Sequence, residues 1–203
     1  MKKKIGIVNY KTGNIGSLYK TLKKIDENVK IINKPSDVDL CHKIFLPGVG
    51  SYLTAMQSLK SSKIDKKIKT FFNSGNSIFA ICLGMQILFE KSSENRDCKG
   101  IKLLPGKVSK IFTKKSPLPH IGWSKVYSSG KSKFDKNLNN KFFYFCHSYI
   151  CKIKEGKIKN TIFKYDNEKF IASVNIENLY ATQFHPELSG ENGMNLIRWF
   201  LNE

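Results

Sequence analysis

Hydrophobic positions along this chain keep two rhythms, and the rhythms alternate. Short apolar runs rich in β-branched residues fall at 5–8, 29–32, 43–46 and 78–81, and each has the length of a buried strand. Between them the spacing widens to three and four. Ile15, Leu18, Tyr19, Leu22 and Ile25 predict one helix, Leu53, Met56 and Leu59 a second, and Ile64, Ile68, Phe71 and Phe72 a third. Turn residues punctuate the series at Lys34-Pro35-Ser36-Asp37, Pro47-Gly48-Val49-Gly50-Ser51 and Ser74-Gly75-Asn76. Repeated strand–helix–strand units predict a mostly parallel sheet with helices on both faces. Ligands of such sheets sit at the carboxyl ends of the strands.

Past residue 94 the character changes. Segments 101–112, 123–127, 141–150, 160–165, 169–174 and 179–184 read as strands, several joined by short polar turns such as Asp166-Asn167-Glu168. They predict antiparallel strands that extend or cover the parallel core. A last helix spans roughly 193–201 and carries Met194, Ile197, Trp199 and Phe200. No repeat, low-complexity tract or linker divides the 203 residues, so one domain over 1–203 is expected.

Candidate chemistry gathers where strand rhythm gives way to helix rhythm, at Ser77-Ile78-Phe79-Ala80-Ile81-Cys82-Leu83-Gly84-Met85-Gln86. Cys82 sits at the switch. A nucleophile on a tight strand-to-helix turn is lifted above the sheet edge, facing the first amides of the helix. Those amides stabilise a thiolate and then an oxyanion. A lone cysteine at a strand end is more often structural, but this one has partners a hundred residues on. In Gln183-Phe184-His185-Pro186-Glu187 an alternating strand ends in a histidine, and a carboxylate follows two residues later. A cysteine nucleophile needs a base, and the base needs an acceptor that orients it. The glycines at 48 and 50 allow backbone amides to turn toward a ligand, and Ser51 also fits an ordinary helix cap. Gly13-Asn14-Ile15-Gly16 hints at phosphate binding but lacks the dinucleotide fingerprint.

Cys82-x-Gly84-x-Gln86 followed by Gln183-Phe184-His185-Pro186-Glu187 resembles the class I glutamine amidotransferases, whose glutaminase domain uses a Cys-His-Glu triad. Asn9-Tyr10 with Gly13-Asn14, Leu46-Pro47-Gly48-Val49-Gly50-Ser51, Pro119-His120-Ile121-Gly122-Trp123 and Tyr144-Phe145-Cys146-His147-Ser148-Tyr149 narrow the resemblance. It is to the glutaminase subunits of imidazole glycerol phosphate synthase, from histidine biosynthesis, and runs from about residue 5 to 200. The resemblance implies a three-layer α/β/α (flavodoxin-like) domain, with a mostly parallel central sheet and added antiparallel strands in the C-terminal half. It implies hydrolysis of L-glutamine to glutamate and ammonia, with Cys82 as nucleophile, His185 as base and Glu187 orienting it. Val49 and Leu83 would supply oxyanion-hole amides. Gly48 and Gly50 would pack against substrate, Gln86 and Glu94 would hold its amino end, and the backbone of Ser148 and Tyr149 its carboxylate. No cofactor and no metal are implied. The ammonia would pass to a separate cyclase subunit, a (β/α)8 barrel, and Asn14, Trp123 and Tyr144 match positions at that interface. Other roles stay open: local packing for Trp123 and Tyr144, a solvated helix-end acid for Glu94, hydrogen-bonded structural histidines for His120 and His147.

Three positions depart from the family pattern. Ala80 stands for a glycine two before the nucleophile, Asn9 for an aspartate, and Leu188 for the lysine that in the family pairs with an acid on the barrel. Leu188 keeps open a paralogous glutaminase that feeds ammonia to amidination of a surface sugar. A non-catalytic binding subunit is a third reading, opposed by the intact Cys82, His185 and Glu187.

Composition narrows the classes. The formal net charge is +19, yet the lysines are dispersed rather than set in a nucleic-acid motif, so a lysine-rich surface is the expectation and specific nucleic-acid binding is not. Five cysteines without a Cys-x-x-Cys pair argue against a disulfide framework or zinc ribbon, and Cys146, His147 and Cys151 match no standard metal spacing. No apolar run reaches membrane-spanning length, and the basic start is followed by too short an apolar stretch for a signal peptide. A cytoplasmic location is expected.

Overall fold

A strand buried on both sides must sit in a sheet covered by helices on both faces. The computed structural model, which describes residues 4–11, 15–25, 28–154 and 158–203 apart from the side chains of 96 and 97, has that form. The first half runs β1 (Lys4–Val8), α1 (Gly16–Lys23), β2 (Val29–Ile32), α2 (Pro35–Val38), β3 (Cys41–Leu46), α3 (Tyr52–Ser61), α4 (Ile64–Asn73), β4 (Ser77–Ile81) and α5 (Leu83–Gln86). The second runs β5 (Lys91–Ser92), β6 (Asn95–Lys99), β7 (Gly106–Lys110), β8 (His120–Tyr127), α6 (Lys133–Leu138), β9 (Phe142–His147), β10 (Tyr149–Ile153), β11 (Lys159–Tyr165), β12 (Glu168–Ile176), β13 (Leu179–Thr182) and α7 (Gly190–Asn202).

The main sheet has nine strands in the order β2-β1-β3-β4-β13-β12-β11-β8-β9. The first five are mutually parallel, and the remaining four join antiparallel. Side chains alternate between its faces. Ile44, Leu46, Ile78 and Ala80 pack with Met56, Leu59 and Ile68 of α3 and α4. Phe45, Phe79 and Ile81 pack with Leu22 of α1, Phe134 of α6 and Phe200 of α7. Ala80, the departure from the usual glycine, is fully buried in the first of these clusters, so its methyl has a seat. The strands expected at 160–165, 169–174 and 179–184 are present, and Asp166 and Asn167 turn the β11–β12 hairpin with positive φ at both positions.

Several elements differ from the sequence reading. A second sheet, in the order β10-β7-β5-β6, was not foreseen. Its strands β5 and β6 are short and mostly polar, so they carry no apolar period. The expected strand 141–150 breaks at Ser148. β9 buries Phe143, Phe145 and His147, and burial then resumes at Ile150, a slip of the two-residue phase that sends β10 into the second sheet. The strand expected at 101–112 reduces to Gly106–Lys110, and the helix after Cys82 is a single turn. The turn at 34–37 is the start of a short helix capped by Asp37, whose carboxylate accepts from the amides of Asn33 and Lys34. Among the described residues no helix is long and apolar enough to cross a membrane.

His120 and His147 face each other across β8 and β9, as structural histidines do. His120 Nδ1 lies 3.3 Å from His147 Nε2, His120 Nε2 lies 3.0 Å from Ser124 Oγ, and His147 Nδ1 lies 2.9 Å from the Tyr149 carbonyl. Phe145, Phe163 and Tyr165 stack around His120. Burial holds the His120 pKa down at about 4, and burial with the neighbouring imidazoles holds His147 at about 3. Their ordinary value is about 6.5. Below that value the unfolded chain takes up two protons that the native chain refuses, so stability is full above pH 6.5 and falls toward pH 4. Urea unfolding should lose on the order of 2–4 kcal/mol between pH 7 and 5, and His120→Phe should remove about half of that slope. An unchanged slope would show that the pair does not set acid stability.

Candidate active site

The parallel neighbours β3, β4 and β13 end side by side, and each hands one functional loop to the same edge. After β3 comes Pro47-Gly48-Val49-Gly50, with Gly50 at φ 110°. Ser51 then caps α3 by accepting from the Thr54 amide at 3.3 Å. After β4 comes Cys82 at φ 45°, ψ −103°, a strained conformation for a residue with a side chain. Cys82 N donates to Thr182 O at 2.6 Å, which ties the elbow to β13. A Cβ on Gly84 would lie 2.1 Å from Leu46 O, so only glycine lets the short helix close onto the end of β3. A Cβ on Gly48 would lie 2.8 Å from His185 Cε1 and 3.0 Å from Cys82 Cβ, so that glycine lies against both candidate side chains.

His185 follows β13, and its own amide donates to Tyr144 O at 2.8 Å. Pro186–Leu188 forms a 3₁₀ turn that brings Glu187 back toward the ring. His185 Nδ1 and Glu187 Oε1 are 2.9 Å apart, both side chains buried. A carboxylate can only accept, so Nδ1 carries the hydrogen and Nε2 is left for the sulfur side. Burial by itself depresses the imidazolium, but Cys82 and Glu187 outweigh it and hold the His185 pKa well above its ordinary value. Ser189 locks the turn: its hydroxyl donates to His185 O at 2.6 Å and accepts from Tyr144 N at 2.9 Å.

Gly48, Gly50, Cys82, Leu83, Gln86, Glu94, Pro119, Cys146, His147, Ser148 and Tyr149 line one cavity of about 270 Å³. Every residue expected to meet substrate is among them. Val49 sits between the two lining glycines. Gln86 Nε2 donates to Tyr149 O at 3.1 Å and to Gln183 Oε1 at 3.3 Å. Glu94 is no helix-end acid. It stands on the β5–β6 turn, where Oε1 accepts from Tyr52 N at 3.3 Å, the first amide of α3. Sequence reasoning missed Gln183, fully buried, whose amide donates to Cys82 Sγ at 3.4 Å. The signal was there: a glutamine inside an apolar strand needs a buried partner. It also missed Cys146, exposed on the cavity wall, whose carbonyl lies 3.9 Å from Cys82 Sγ.

Trp123 and Tyr144 are directly opposed on β8 and β9, with ring centroids 6.1 Å apart. Trp123 is 54% exposed, so the indole is not packed into the interior. Ile121, 59% exposed, stands opposite the cavity-lining Cys146, and Leu188, 45% exposed, donates its amide to His185 O. Asn14 lies outside the described residues. Among the described residues no group of three or more His, Cys, Asp or Glu is disposed to hold a metal ion.

Comparison with known proteins gives a consistent picture. Imidazole glycerol phosphate synthase subunit HisH of Prochlorococcus marinus (strain MIT 9211) is 36% identical over 203 residues, covering 99% of this chain and 95% of that protein. Imidazole glycerol phosphate synthase hisHF of Emericella nidulans is 32% identical over 208 residues, covering 98% of this chain and 38% of that longer protein. A crystal structure of a glutamine amidotransferase superposes with a TM-score of 0.77 at 17% identity, over 98% of this chain and 97% of that one, a likeness of fold. The family description Glutamine amidotransferase class-I matches residues 7–203. With a cysteine elbow, a histidine and a glutamate converging on one strand edge, the chain belongs to the class-I glutamine amidotransferase family.

Proposed function

We propose that this chain is the glutaminase subunit of an imidazole glycerol phosphate synthase, with Cys82, His185 and Glu187 as its catalytic triad. The observation that carries the reading is the convergence of a strained Cys82 elbow and a Glu187-bound His185 on a cavity lined by Gln86 and Glu94.

His185, held as imidazolium beside Cys82 and Glu187, keeps the thiol proton on Nε2, and the Cys82 thiolate attacks the side-chain amide carbon of L-glutamine. The carbonyl oxygen becomes an oxyanion, received by the amides of Val49 and Leu83. His185 returns the proton to nitrogen, the C–N bond breaks and ammonia leaves, with a thioester remaining on Cys82. A water that gives its proton to His185 then attacks the thioester. Glutamate departs and the thiolate is restored. Glu187 keeps Nδ1 protonated and stabilises the imidazolium between these transfers. Gln183 holds the sulfur by its amide and acts as a positioning residue. Gln86 and Glu94 bind the substrate ammonium, and Glu94 is fixed for this by the first amide of α3.

Ammonia released into water would be protonated and lost, so the cavity needs a cover that receives it. The exposed Ile121, Trp123 and Leu188, with the half-buried Tyr144, support a docked subunit, because aromatic anchors are the usual centre of such contacts. The proposed occupant is a cyclase subunit with a (β/α)8 barrel. Leu188 makes an apolar contact there instead of an ion pair. Leu188 is also the one observation that favours a glutaminase serving amidination of a surface sugar.

Two measurements test the reading. Glutamate release should be stimulated when the purified chain is mixed with the cyclase subunit from the same source and its ligand. Cys82→Ala should lower that release by about 10³-fold or more. Cys82-independent turnover would exclude the triad. Stimulation only by a sugar-modifying synthase would move the chain to the second reading. Gly48→Ala puts a methyl against His185 Cε1 and Cys82 Cβ. It should cut kcat/KM roughly 10–100-fold at an unchanged melting profile. Full activity in Gly48→Ala would mean the loop is not in the catalytic geometry.

A further inference from the structure

The second sheet carries an arrangement that a free surface would be expected to avoid. Its register sets Lys152 opposite Lys107, Lys107 opposite Lys91, and Lys91 opposite Lys99. Four lysines thus form one transverse row across all four strands, on the face turned away from Val108, Cys98 and Cys151. All four are exposed. Residues directly opposed on neighbouring strands share a face, and like charges so opposed destabilise the sheet. With strands about 4.8 Å apart the row is roughly 14 Å long.

Elsewhere on the molecule lysines meet carboxylates: Lys30 with Asp37, Lys67 with Asp39, Lys133 with Glu203. Among the described residues no carboxylate pairs with the four row lysines. The one carboxylate seen to pair at this face, Glu90, is taken by Lys154 at 2.9 Å. Lys60 adds a further ammonium at the end of the row, donating to Lys99 O at 2.9 Å.

The surface around the row is hollowed. A depression of about 580 Å³ is lined by Lys91, Lys99 and Lys102, by Leu103, Leu104 and Pro105, and by Glu90, whose carboxylate Lys154 holds. Depressions of about 350 and 320 Å³ continue it along Lys107, Lys152 and Lys154. Dimensions of this order suit a small molecule.

We propose that this face binds a linear oligophosphate, three or more condensed phosphates laid along the lysine row. A chain of phosphates brings several closely spaced charges and no bulky body. An extended acidic peptide sets its same-face carboxylates about 6.6 Å apart, wider than the roughly 4.8 Å between neighbouring lysines of the row. None of the residues walling the depressions is aromatic, so the platform on which single-stranded nucleic acid stacks is missing. The oligophosphate has two possible sources, inorganic or nucleotide. A nucleotide would place its base on Leu103 and Pro105, and an inorganic chain would use the lysines alone. The site is independent of the glutaminase reading.

The test is calorimetric titration of the intact chain at about 0.15 M salt. The probes are inorganic tripolyphosphate, adenosine triphosphate, orthophosphate, duplex DNA and a poly-glutamate peptide. The row variant is Lys91→Gln with Lys107→Gln. The control, Lys20→Gln with Lys66→Gln, removes the same charge from exposed positions on α1 and α4. Tripolyphosphate should bind one to one, lose about tenfold or more in affinity in the row variant, and change less than about threefold in the control. The unliganded row variant should melt at or above the wild-type temperature, since it relieves repulsion. Tighter binding of adenosine triphosphate than of tripolyphosphate would assign the nucleotide source, and the reverse the inorganic one. Equal losses in both variants, no binding at this salt, or row-dependent binding of DNA or poly-glutamate tighter than either oligophosphate would overturn the proposal.

Discussion

Parallel pairing of β4 with β13 is the constraint on which the site depends. The two strands lie about a hundred residues apart in the chain, yet Ile81 stands opposite Thr182 and the ladder continues one step further, where Cys82 N donates to Thr182 O. That bond sets the height of the elbow relative to the strand that delivers His185. A slip of one residue would turn Phe79 and Ile81 out of their cluster and carry Cys82 away from His185 together. The same register therefore satisfies the core and aligns the chemistry. β3 joins on the other side of β4, and the missing side chains of Gly48 and Gly84 let its loop and carbonyl close on the elbow.

Polar groups are buried at this edge and hold one another, although Glu187 Oε2 itself has no partner among the described residues. Glu187 holds His185, Ser189 holds the turn that carries both, Gln183 holds the Cys82 sulfur, and Gln86 holds Gln183. Such a network is costly if one member is missing, because the remaining polar atoms stay out of water without partners. This explains why the cavity wall is built from strand ends and tight turns: few rotamers are left to the groups that matter. The second sheet contributes Tyr149 of β10 and Glu94 of the β5–β6 turn to the cavity, and the helix amide at Tyr52 fixes Glu94 in turn.

Much of this was legible in the chain. The parallel half followed from apolar runs separated by helical spacing, since a strand buried on both faces leaves a continuous hydrophobic stretch. Cys82, His185 and Glu187 stood out as candidates because two motifs with opposite local geometry, a strand-to-helix elbow and a strand-ending histidine, have little reason to coexist otherwise. The second sheet was not legible. Lys91–Ser92 is held by pairing with β7 and Asn95–Lys99 by pairing with Lys91–Ser92, not by any period of their own. The break at Ser148 was written as a phase slip from His147 to Ile150, visible only once the buried face is known. The exposure of Trp123 could not be read locally either, because an indole is ordinarily interior and here its strand lies beside the sheet edge, facing outward.

The central claim is that Cys82, and no other thiol in the cavity, reacts with glutamine. Cys146 is the natural competitor: it is exposed and lines the same wall. An electrophilic glutamine analogue, followed by peptide mapping, distinguishes the two. The account predicts one adduct, on Cys82, formed more slowly in His185→Asn and unaffected by Cys146→Ser. Labelling confined to Cys146, or labelling of Cys82 at the same rate without His185, would contradict it.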